Sequence, residues 1–78
     1  MKKVIIYSTA NCHYCLKAKE WFAKNKISYT NIDVGIDHVE RRKMVELSGQ
    51  LGVPVISVEG EFVVGFDENK LGELLEIK

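Results

Sequence analysis

The chain has 78 residues, 46% of them hydrophobic and 28% charged, which is enough for one domain with one core and too little for two. Eleven Lys and Arg balance eleven Asp and Glu, so the basic excess that drives nucleic-acid binding is missing. Aromatic and β-branched residues are plentiful, which excludes disorder. The longest apolar run, Val4-Ile5-Ile6-Tyr7, is strand-sized and far short of a membrane span. Met1-Lys2-Lys3 leads straight into it, with no h-region and no small-residue cleavage site. The expectation is a cytoplasmic monomer, one domain over residues 1–78, with no membrane and no nucleic-acid partner.

Residues 3–7 predict a buried strand, from their short β-branched apolar run. Ser8-Thr9-Ala10-Asn11 is small and polar and predicts a loop. From His13 to about residue 25 there is no Gly or Pro, and helix formers cluster. Cys15, Ala18 and Phe22 fall on one face of that helix, with Trp21 at its flank and lysines on the solvated side. Residues 29–34 alternate weakly and predict a second strand. Asp37 with Glu40 has the spacing of a capping box, opening a helix to about residue 48 with Gly49 as its stop. Met44, Leu47 and Leu51 are assigned to the core, Arg41-Arg42-Lys43 and His38 to the surface. Pro54 fixes Val53 extended. Residues 55–58 and 62–64 form two strands around Glu59-Gly60, where Gly60 can take a positive φ. Asp67 caps a last helix whose apolar stripe is Leu71, Leu74 and Leu75. The order is β-α-β-α-β-β-α: an α/β fold with a mixed sheet and helices on both faces.

Cys12 and Cys15 are the only cysteines. They are too few and too close for a disulfide-rich secreted scaffold. In a reducing compartment C-x-x-C is either a redox pair or half of a zinc site. Zinc needs about four ligands, and His13 and His38 supply no second pair at ligand spacing. Burial of both thiols as ordinary core residues explains the spacing poorly. The position of the motif favours redox chemistry. Cys12 lies where the first helix begins, where unpaired N–H groups and the helix dipole favour negative charge. It is therefore expected to have a depressed pKa and to be the reactive thiolate. Cys15 lies one turn further in, on the apolar face, where burial disfavours its thiolate. An exposed nucleophile beside a protected thiol is what disulfide exchange requires. One helical turn also keeps the pair within disulfide reach, about 4.4–6.8 Å between Cα atoms.

Cys12-His13-Tyr14-Cys15 after the first strand, Val53-Pro54 before the third, and Gly65-Phe66-Asp67 before the last helix together resemble the glutaredoxin family. The similarity runs over essentially the whole chain. It implies a thioredoxin-like fold with a four-stranded mixed sheet and three helices, and a dithiol–disulfide oxidoreductase acting on protein or glutathione mixed disulfides. Cys12 would attack and Cys15 would resolve, with Pro54 as a cis-proline facing them. The backbone at Val53 would pair with a peptide or with glutathione as an added strand. Tyr14, Gln50, Val53, Pro54, Gly65, Phe66 and Asp67 would contact the substrate. Glutathione is the implied cosubstrate, with no tightly bound cofactor and no metal; disulfide-containing proteins are the implied partners.

Three positions differ from the common pattern. His13 replaces a proline, and its imidazolium would modulate the pKa of the neighbouring thiolate. Thr9 stands where a lysine is frequent, and Val64-Gly65 replaces a Gly-Gly pair. The small hydrogen donors of ribonucleotide reductase, recycled by thioredoxin reductase, are a second comparison that shares the length and the Gly-Phe pair. A metal or iron–sulfur binding module is a third reading.

Overall fold

The computed structural model describes residues 2–77. In chain order it contains β1 (Val4–Ser8), α1 (His13–Lys24), β2 (Thr30–Asp33), α2 (His38–Ser48), β3 (Val55–Val58), β4 (Glu61–Val64) and α3 (Glu68–Leu74). The strands form one sheet in the order β2-β1-β3-β4. β1 runs parallel to β2, with Ile6 opposite Asn31, and antiparallel to β3, with Ile6 opposite Ile56. β4 pairs antiparallel with β3, Ile56 facing Val63. The element order and the mixed thioredoxin-like sheet agree with the sequence expectation.

The two central strands, β1 and β3, are covered on both faces, which is why their sequences read as unbroken apolar runs. On one face Val4, Ile6, Ile56, Val58 and Val63 pack against Ala18 and Phe22 of α1 and Leu71 of α3. Leu74 and Leu75 are half-buried against the same cluster, so the predicted stripe of α3 docks as a unit. On the other face Tyr7, Val34 and Val55 pack against Met44 of α2. Each fully buried side chain of this kind contributes about 1.5–3 kcal/mol relative to exposure. Trp21 is half-buried, edge-on to Phe22 at 5.7 Å and to Phe66 at 6.1 Å between ring centroids.

Two assignments are corrected. Leu47 and Leu51 are exposed, at 61% and 72%, and only Met44 of that trio is core. α2 presents a single buried residue to the sheet. Leu47 is on α2 but off its buried position, and Leu51 lies past the helix in the loop to β3. The capping box is also incomplete. Asp37 Oδ1 accepts from the Glu40 amide at 3.0 Å, but the Asp37 amide donates to the Asp33 carbonyl. That donor is already satisfied, and the Glu40 carboxylate lies 3.7 Å from Lys43 Nζ instead.

Chain reversals use more left-handed residues than the glycines announce. The β3–β4 turn takes positive φ at Glu59 as well as at Gly60. α1 and α3 end without glycine, with Lys26 and Glu76 at φ 57° and 59°. In both, the next amide reaches back to close the helix: Ile27 to the Phe22 carbonyl and Ile77 to the Gly72 carbonyl, each 2.8 Å. That is the Schellman arrangement, and it satisfies carbonyls that the helix end leaves open.

Candidate active site

The central strand β1 ends at Ser8, and the Thr9–Asn11 loop turns the chain into α1. Cys12 is the N-cap residue of that helix, extended at φ −90° and ψ 113°. Its Sγ accepts a hydrogen bond from the Cys15 amide at 3.1 Å. The sulfur therefore stands where a capping oxygen usually stands. Cys12 is partly accessible, whereas Cys15 is 1% exposed and packs on the apolar face of α1. Both thiols are free. The Cys15 thiol is pushed up to about 12, first by burial and then by the hydrogen bond and charge of Cys12; the Thr9 backbone and Lys19 oppose the shift. Two thiols one turn apart thus have different access to solvent.

The Val53–Pro54 peptide bond is cis, as the family resemblance implied. Pro54 is buried, and the Val53 carbonyl lies 3.8 Å from Cys12 Sγ. The Gly65 amide donates to the Pro54 carbonyl at 2.8 Å. Gly65 has φ 78°, a conformation available to glycine at little cost. It turns the end of β4 so that Phe66 meets Trp21 and Asp67 opens α3. Contacts therefore join Cys12, Cys15, Val53, Pro54 and Gly65 directly.

Other expected residues sit around this core. Tyr14 is 60% exposed, edge-on to the exposed His13 at 5.9 Å, and Lys17 Nζ lies 5.7 Å from its ring centroid. Gln50 stands on the loop after α2, its amide donating to Ser48 Oγ at 3.2 Å. Asp67 Oδ1 accepts from the Lys70 amide at 3.1 Å, so this side chain caps α3. Gln50 and Asp67 lie outside the contact network of the cysteines among the described residues.

Two features escaped the sequence reading. Lys17 meets Tyr14, a pairing signalled only by i,i+3 spacing. Lys19 was grouped with the solvated lysines, yet it is half-buried and lines a cleft of about 300 Å³ together with Thr9, Cys12 and Cys15. Its signal was the i,i+4 spacing from Cys15. Among the described residues no group of three or more His, Cys, Asp or Glu is placed to hold a metal ion, and no helix is long and apolar enough to cross a membrane.

Comparison with known proteins agrees with this geometry. The profile of the Glutaredoxin family matches residues 4–63. An uncharacterised glutaredoxin-like 8.6 kDa protein of the rubredoxin operon of Clostridium pasteurianum is 41% identical, over 91% of this chain and 95% of its own. Among solved structures, a mutant of the thioredoxin-like protein BC3987 superposes with a TM-score of 0.92 at 32% identity, covering 100% of both chains. A glutaredoxin from Archaeoglobus fulgidus gives 0.86 at 25% identity, covering 96% of this chain and 87% of its own. With a sheet, a cis-proline and a C-x-x-C helix start in this arrangement, the chain belongs to the glutaredoxin family of thiol–disulfide oxidoreductases.

Proposed function

We propose that Cys12 is the attacking thiol and Cys15 the resolving thiol of a dithiol cycle that reduces protein disulfides and glutathione mixed disulfides. The observation that supports it is the inequality of the pair: an accessible sulfur that caps a helix, and a second sulfur one turn away at 1% exposure. The Cys12 sulfur stands at the helix N-terminus, where the Cys15 amide points at it.

In the first step Cys12 Sγ attacks one sulfur of the substrate disulfide, and the other sulfur leaves as a thiolate that takes up a proton. The mixed disulfide is then attacked by Cys15 Sγ at Cys12 Sγ. The Cys12–substrate bond breaks, the second substrate thiol departs, and a Cys12–Cys15 disulfide remains. Glutathione restores the dithiol: one thiolate opens the disulfide and a second releases oxidised glutathione. Two electrons pass from the dithiol to the substrate disulfide, and two from glutathione replace them in the dithiol.

The Val53 backbone would pair with the main chain of the substrate beside Pro54. Tyr14, Gln50, Gly65, Phe66 and Asp67 would bound the site, and His13 would adjoin Cys12 at the helix start. No tightly bound cofactor enters the cycle. A reducing compartment such as the cytoplasm suits a free dithiol.

The test is turnover of a glutathione mixed disulfide with glutathione and glutathione reductase, run beside thioredoxin reductase, for the native protein and Cys12→Ser. Turnover with glutathione that vanishes in Cys12→Ser is expected. Turnover with thioredoxin reductase alone would replace glutathione by that reductase as the electron source. Activity surviving in Cys12→Ser would remove Cys12 from the nucleophile's role.

A further inference from the structure

The resolving step asks a buried thiol to act as a thiolate. Cys15 is 1% exposed, and burial is the main cause that pushes it up to about 12. While Cys12 is held in a mixed disulfide it carries no charge, so it neither helps nor hinders ionisation of Cys15 through its own ion. What remains in the cleft then decides the step.

The cleft is lined by the Thr9–Asn11 loop, both cysteines, His13, Leu16 and Lys19, and no carboxylate is among these residues. Lys19 follows Cys15 by four positions on α1, so the two side chains share a face one above the other. Lys19 is half-buried, whereas Lys17 and Lys24 on the same helix are exposed. The ion pairs of the described residues are Lys2–Glu76 and Lys43–Glu40, so the Lys19 ammonium is not neutralised by a neighbouring acid. An unneutralised ammonium in a partly closed cleft acts on its neighbours through a lower effective dielectric than water. Against burial and Cys12, the Thr9 backbone and the Lys19 charge both favour the ionised Cys15 thiol, and Lys19 is the half-buried cation of the cleft.

We infer that Lys19 is a positioning residue for the resolving half of the reaction: its ammonium, one turn below Cys15 in the cleft that holds both sulfurs, stabilises the Cys15 thiolate as it attacks the mixed disulfide. The Cys15 proton leaves to water, the Cys15–Cys12 bond forms, and the Cys12–substrate bond breaks with its electron pair on the departing sulfur. That thiolate then takes up a proton, so the step is balanced without another reactant. The inference rests on the proposed order in which Cys12 attacks and Cys15 resolves.

A neutral aromatic disulfide, dithiodipyridine, separates the two steps, because each releases one thiopyridone that absorbs light. In a stopped-flow trace of the reduced protein the first release reports attack by Cys12 and the second reports resolution by Cys15. Lys19→Gln is expected to slow the second phase about threefold and the first by less, since a lost cation lowers the thiolate fraction more than it raises intrinsic nucleophilicity. Lys19→Arg is expected to restore the second phase, which a purely structural lysine would not require. An unchanged second phase in Lys19→Gln, equal slowing of both phases, or slowing that Arg does not restore would each overturn the inference. Failure of the underlying order looks different: the first phase would then persist in Cys12→Ser and vanish in Cys15→Ser.

Discussion

The Cys15 amide donates a 3.1 Å hydrogen bond to Cys12 Sγ, so the sulfur that is placed to react also starts the helix. Stability and chemistry meet in one atom, and substitutions can separate them. Cys12→Ser keeps an acceptor at the N-cap and is expected to stay within about 0.5 kcal/mol of the parent while losing disulfide reduction. Cys12→Ala removes the acceptor and is expected to cost about 1 kcal/mol. Urea midpoints of the reduced proteins check this. An Ala variant as stable as the Ser variant would show that the sulfur contributes nothing as a cap.

Cys15 predicts a pH dependence of stability in the reduced protein. Its ordinary value is 9.0 and burial holds it at about 12 in the fold. Between these values the unfolded chain has lost the proton and the folded chain retains it. The unfolded state then binds fewer protons, so stability falls as pH rises. The loss is about 1 kcal/mol by pH ~10. Cys15→Ala lacks this dependence, so the stability gap between parent and variant should narrow from pH ~8 to pH ~10. Tyr7 is also raised, by burial and then by Glu40, and its contribution falls above that window. Urea titrations across the window decide it; a gap of constant size would contradict the buried-thiol account.

Gly65 holds φ 78° with open space where a Cβ would stand. The penalty for Gly65→Ala is therefore conformational rather than steric, about 1–2 kcal/mol. Asn tolerates this region better, so Gly65→Asn is expected to lose less. In a domain of this size 1 kcal/mol lowers the melting temperature by about 4–8 °C. Equal melting temperatures for the Ala variant and the parent would mean that the turn after β4 relaxes freely.

Met44 and Leu51 were assigned to one cluster by their sequence and are separated by the structure, at 0% and 72% exposure. Met44→Ala is expected to cost about 2–5 kcal/mol through the lost contacts and cavity. Leu51→Gln is expected to change stability by less than about 0.5 kcal/mol. Chemical denaturation of both checks the contrast; a large loss in Leu51→Gln would place that residue in a packed environment.

Much of this fold was written locally. The 3.6-residue spacing of Cys15, Ala18 and Phe22 fixed the inner face of α1, and the β-branched runs fixed the two central strands. Asp37, Asp67 and Gly49 marked helix ends because capping depends on nearest neighbours. The C-x-x-C spacing at a strand-to-helix junction made Cys12 and Cys15 legible as a candidate redox pair. The left-handed residues Lys26, Glu59 and Glu76 were not legible, because helix-end hydrogen bonds and a tight turn impose that conformation on residue types that do not announce it. The second half of the capping box was not legible either, since the Asp37 amide was claimed by the Asp33 carbonyl of the preceding turn.

The sequence by itself determined the element order, the identity of both thiols and their unequal placement along one helix, because these follow from periodicity and from a helix terminus. Only the tertiary structure decided that the Val53 carbonyl and Pro54 stand beside Cys12, that Gly65 locks onto Pro54, and that Lys19 shares a cleft with Cys15 while Lys17 turns toward Tyr14. Those relationships join residues up to some forty positions apart. The first two depend on how the β3–β4 hairpin docks against the start of α1, a packing outcome that no local pattern encodes; for the two lysines, spacing along α1 offered the neighbours and packing chose among them.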